Sequence, residues 1–211
     1  MTIPLILLGG IASLDRFLAL HMLLSRPFVI SIIVGLLTSN LTYTFYVGLL
    51  IEFYGIIDVQ VGTRLTREDT FLAYVLSLLV GLGYITDTFM FLLILLIFLI
   101  IMYPVGYTEV FVRDLNKFFL KRTKLTSSKI ILIGSLMGIV RGIILYPLGF
   151  FIGVEIVSYF QNHVHWGGNF KFYSVFLTIL LSGYVLRLLV VKSSYKYILF
   201  LIGLFLGWLI V

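Results

Sequence analysis

The chain has 211 residues, 61% of them hydrophobic and 11% charged, with 15 Lys and Arg against 9 Asp and Glu for a net charge of +6. An average soluble domain holds roughly 45–50% apolar and 25% charged residues, so a mean hydropathy of +1.17 leaves too little polar material to cover a water-facing globule. The composition therefore excludes an ordinary soluble domain, and in a chain this apolar the positive charge reads as basic loops beside anionic lipid, with no nucleic acid implied.

The apolar runs are long and continuous, without the ten-residue alternation of an outer-membrane barrel. The expected fold class is all-α: a polytopic transmembrane helical bundle with discontinuous or re-entrant segments, forming one domain over 1–211. In chain order the candidate segments are 2–14, 17–38, 41–58, 70–86, 88–112, 129–160, 172–191 and 195–211. The opening MTIPLILLGGIASL lacks a basic n-region and runs on into further apolar sequence, so it reads as an element of the bundle. The 129–160 stretch is too long for one perpendicular helix. It contains Gly142, Pro147, Gly149 and Gly153, which predicts a break near Pro147, and Pro104 with Gly106 predicts another near the end of 88–112. Interrupted helices of this kind occur in transporters; proline kinks within ordinary spans are the alternative.

Orientation follows from the basic loops. Arg113, Lys117, Lys121, Arg122, Lys124 and Lys129 face a single Asp114 in 113–129, which puts that segment on the cytoplasmic side of a cell inner membrane. Leu115, Phe118, Phe119 and Leu125 lie between these charges and suit an amphipathic helix on the inner membrane surface. The turn at 162–169 then falls on the opposite face, and Lys192 and Lys196 return to the cytoplasm, giving a multi-pass protein.

No cysteine is present, which excludes disulfides and thiolate chemistry. His163 and His165 have a metal-pair spacing but also suit a polar loop anchored by Trp166, and His21 reads as a hydrogen-bonded histidine within a span. The paired glycines lack the strand, helix and lysine of a phosphate loop and read as sites of close helix approach. No catalytic residue, metal or cofactor is expected. The informative stretch is Leu14 to Asp69, where Asp15, Arg16, Arg26, Glu52 and Asp58 interrupt apolar sequence at a cost that usually marks function. Glu52 follows Gly48 by four residues, so both share a helix face. A carboxylate beside a small residue offers room and a strong acceptor to a hydroxyl-rich ligand; pairing with Arg16, Arg26 or Arg141 is the competing reading.

Leu14-Asp15-Arg16, Ser25-Arg26-Pro27, Gly35-Leu36-Leu37-Thr38-Ser39-Asn40, Gly48-x-x-x-Glu52 and Val61-Gly62 followed by Thr63 to Glu68 keep the order and spacing of motifs in one transporter family. Over roughly residues 9–80 the chain resembles the membrane IIC component of the mannose/sorbose family of the bacterial phosphotransferase system, with a weaker echo at Gly183-Tyr184. The resemblance implies a permease subunit of a phosphoenolpyruvate-dependent sugar phosphotransferase system. It implies an oligomer with a IID membrane subunit, served by cytoplasmic IIA and IIB phosphocarriers. By position it implies sugar contacts at Glu52, Gln60 and Glu68, supported by Asp15, Asn40 and Asp58. The chain departs from the family pattern at Asn40, where an Asp is usual, at Thr63-Arg64, which replace paired alanines, and at Arg67-Glu68, which replace Pro-Asp. Two arginines in that loop imply either a different, anionic substrate or a subunit that has lost coupled transport. An ion-coupled solute carrier is the remaining alternative.

Overall fold

The computed structural model describes residues 3–18, 23–57, 68–122 and 127–163. Six helices account for nearly all of them: α1 (Ile3–Leu18), α2 (Pro27–Thr38), α3 (Leu41–Ile57), α4 (Asp69–Gly81), α5 (Thr88–Arg122) and α6 (Ser127–His163). No strand occurs among the described residues, as expected for an all-α chain. Within α5 and α6, Met90–Phe118 and Leu132–Asn162 are long and apolar enough to cross a membrane by length and composition.

Three expectations about the segments are corrected. The apolar run 17–38 is not one span: α1 ends at Leu18 and α2 begins at Pro27. Pro27 occupies the first turn of α2 and Arg26 has extended backbone (φ −73°, ψ 131°). A proline there gives up an N–H that has no helical partner anyway, and it pushes its predecessor out of the helical region. Pro27 thus opens α2 rather than shaping the end of the helix before it. Secondly, the discontinuities expected at Pro104 and Pro147 are absent, because both prolines lie inside unbroken helices. Each proline removes one backbone hydrogen bond, and the helix runs on through both. Thirdly, 113–122 continues α5 and does not form a separate surface helix. The segments 172–191 and 195–211, and the histidine loop beyond His163, lie outside the described residues.

Packing divides the helices into two groups. α2, α3 and α4 pack on one another, α1 and α5 pack on α6, and α4 lies between the groups against α6. α4 is buried along its whole length from Thr70 to Gly81, which explains why its sequence has no polar face. Phe71 and Tyr74 of α4 meet Tyr146 of α6 edge-on, at centroid distances of 5.7 and 5.1 Å. The Tyr74 hydroxyl donates to the Leu5 carbonyl of α1 at 2.7 Å. Tyr74→Phe keeps the ring packing and removes this bond, and should lower stability by about 1 kcal/mol, read as a lower Tm of the purified protein.

Small residues allow the closest approaches. A side chain at Gly142 of α6 would meet Ser13 Cβ at 2.6 Å and the Gly10 Cα at 2.9 Å. Gly48 of α3 sits equally tightly on α2, where a Cβ would lie 2.6 Å from Ser31 Cβ and 3.1 Å from the Phe28 Cα. The space beside Glu52 that the sequence reserved for a ligand is therefore filled by α2.

Candidate functional site

The helix lengths bring Asp15, Arg26, Glu52, Glu68 and Arg141 to one end of the short helices. α2 and α4 start there and α1 and α3 end there, while α5 and α6 pass through.

At the start of α2, the backbone N–H of Ser25 donates to Asp15 Oδ2 at 2.9 Å, and the Thr70 hydroxyl of α4 donates to the Ser25 carbonyl. These bonds tie the Ser25-Arg26-Pro27 turn to α1 and α4. Arg26 Nη1 donates to Glu52 Oε1 at 3.1 Å, and the Phe28 N–H points at Glu52 Oε2 at 3.4 Å. Arg26 supplies no side-chain cap to α2, so the Glu52 carboxylate, reaching over from α3, lies on the positive end of that helix and serves one of its orphan N–H groups. The Glu52 side chain is 21% exposed and that of Arg26 59%. Of the competing pairings for Glu52, the structure selects Arg26.

Deeper in the layer, Arg141 of α6 is 3% exposed and pairs with Glu68, which is fully buried. Arg141 Nε donates to Thr108 Oγ1 at 2.7 Å, Nη1 to Ser13 Oγ at 3.2 Å, and Nη2 both to Glu68 Oε1 and to the Val105 carbonyl at 3.1 Å. One planar guanidinium thereby joins α1, the start of α4, α5 and α6, a task suited to its fork of five donors. Next to it Glu109 is buried and accepts from Arg113 one turn further along α5.

Of the residues expected at a sugar site, the structure places Asp15, Glu52 and Glu68 in this layer. Asn40 is not brought there. It joins α2 to α3 at the far end of α2, where its N–H bonds the Gly35 carbonyl at 3.0 Å. Gln60 and Asp58 lie outside the described residues. Glu109 was missed by the sequence reading, and Arg141 entered it only as a possible partner of Glu52, although both are charges inside apolar runs, the criterion that singled out Glu52. Comparison with known proteins returns no match, whether with family models, curated proteins or solved structures.

Proposed function

We propose that the protein is a multi-pass membrane permease subunit that binds a sugar-like solute at Glu52, its transport linked to phosphorylation by cytoplasmic partners as the family resemblance implies. The observation that carries this reading is the Arg26–Glu52 pair, a carboxylate and a guanidinium that are both partly exposed on a helix N-terminus in an otherwise apolar frame. An exposed ion pair contributes only about 0–1 kcal/mol, so solute hydroxyls can replace Arg26 on the carboxylate at little cost. The same guanidinium can then donate to solute oxygens. Glu68 has a different role in this reading: enclosed and bonded to Arg141, it holds the helices in place around the site. Basic residues at the end of α5 and the start of α6 mark that end of the two helices as cytoplasmic.

A second reading, a non-transporting scaffold subunit, is favoured by one observation: Asp15, Glu52 and Glu68 all have partners within the chain. Binding separates the two. The purified protein in detergent should be stabilised against thermal unfolding by at least one class among hexoses, amino sugars and sugar acids. Glu52→Gln should weaken that binding by about tenfold or more, the equivalent of losing a charge-assisted hydrogen bond, while leaving the Tm without ligand nearly unchanged. Absence of any stabilising sugar, or equal binding by the variant, refutes the assignment. Uptake in proteoliposomes that follows a pH gradient and needs no phosphoryl donor would instead identify an ion-coupled carrier.

A further inference from the structure

Leu23 has a φ of 60°, in the left-handed region where a Cβ crowds the following carbonyl oxygen. Ser39, with φ 58°, has an ordinary reason to be there, since it caps the C-terminal end of α2. Leu23 precedes a helix start, where no such cap is needed. A bulky residue in this region persists only where its surroundings hold it. The Leu23 side chain supplies no hold, being 57% exposed.

The hold comes through the backbone of the turn. The Arg26 N–H closes the turn on the Leu23 carbonyl at 3.0 Å. Ser25 is gripped from two sides, its N–H by Asp15 of α1 at 2.9 Å and its carbonyl by the Thr70 hydroxyl of α4. Both grips trace back to Arg141, which bonds Ser13 two residues before Asp15 and Glu68 two residues before Thr70. Thr70 is itself 1% exposed, so its hydroxyl is fixed in place. The enclosed pair, Arg141 and Glu68, thus anchors the turn that carries Arg26 of the exposed pair.

We propose that Thr70 is a positioning residue: its hydroxyl keeps the Leu23–Arg26 turn in the strained form and so keeps Arg26 within reach of Glu52. The consequence for affinity rests on the solute site proposed above. Without the hydroxyl, the Ser25 carbonyl loses its partner and Leu23 relaxes to negative φ. The turn then re-aims, and the guanidinium leaves the place where it meets the carboxylate and a bound solute.

Thr70→Val keeps the shape of the side chain and removes the hydroxyl, while Thr70→Ser keeps the hydroxyl. With no native cysteine in the chain, spin labels at Leu23→Cys and Phe151→Cys, both exposed positions, report the turn against α6. Cysteine has a Cβ and retains the strain. Without any sugar, one narrow distance is expected in the labelled parent and in Thr70→Ser, and a shifted or broadened one in Thr70→Val. An unchanged distance in Thr70→Val overturns the proposal, as does equal broadening in Thr70→Ser. This measurement needs no solute, so a failed sugar assignment does not touch it. For a sugar that stabilises the wild-type protein, Thr70→Val should weaken binding by about fivefold, in line with the loss of one neutral hydrogen bond. Leu23→Gly, which accepts the left-handed backbone without strain, should restore most of that affinity when added to Thr70→Val. A loss that Leu23→Gly does not restore assigns Thr70 to packing alone and overturns the proposal.

Discussion

Arg141→Met should destabilise the protein by about 3–5 kcal/mol, because it leaves the Glu68 carboxylate enclosed without its cation. The loss is spread over four helices. Arg141 bonds Ser13 of α1, Thr108 and the Val105 carbonyl of α5, and Glu68 at the start of α4. Methionine fills similar volume and supplies none of those donors. Thermal unfolding in detergent should show the drop for Arg141→Met, and most of it should be recovered in the double variant Arg141→Met with Glu68→Gln, which removes the isolated charge. If the single variant melts with the wild type, Arg141 is not what holds the layer. Arg141→Lys should fall between, since an ammonium cannot meet four acceptors in one plane.

Gly142→Leu, one residue on, should act by steric means and be comparably severe. The added side chain would run into the Gly9 carbonyl and Ser13 Cβ on α1, and neither backbone nor a helical Cβ can yield without moving the helix. Overpacking costs about 1–3 kcal/mol and sometimes more. Here it should exceed that range, because α1 makes its main contacts on this face of α6. Gly134→Ala is the matched control on the same helix. A methyl there meets only the Asn116 amide, at 3.0 Å, and that flexible end can rotate away while alanine adds helix propensity. The Tm of Gly134→Ala should hold or rise while that of Gly142→Leu falls. Arg141 and Gly142 are neighbours serving the same α1–α6 contact, so their combined effect should be less than additive.

Helix type was legible wherever apolarity ran without interruption: the expected 2–14 and 41–58 lie within two residues of the observed 3–18 and 41–57 at nearly every end. The expected 17–38 failed because the turn before α2 opens with Leu23 and Leu24, so hydropathy passes through it. The signal that marks the turn is Pro27 after Arg26, a helix start in a place where length alone suggested a helix interior. The prolines at 104 and 147 misled in the opposite direction, because a proline removes a single backbone hydrogen bond, which a long helix can carry without a break. At the site, Glu52 could be read from its cost in apolar sequence, whereas Glu68, in the polar run before α4, entered only through the family resemblance. Their partners could not: Arg26 is 26 residues from Glu52 and Arg141 is 73 from Glu68, separations that only the packing of α3 on α2 and of α4 on α6 resolves.

The helices differ greatly in length. α2 and α4 have 12 and 13 residues against 35 and 37 in α5 and α6, roughly 20 Å beside more than 50 Å at 1.5 Å per residue. In the bilayer placement proposed above, the perimeter of the molecule therefore demands different hydrocarbon thicknesses on its two sides. Lipid facing α2 and α3 must thin or give way to water over the missing depth, which deforms the leaflet locally at a cost of fractions of a kcal/mol per ångström of mismatch. A thinned leaflet beside Arg26 and Glu52 shortens the path between them and bulk water, and it makes the behaviour of this protein depend on acyl-chain length. Reconstitution in lipids of graded chain length is where that dependence should be seen.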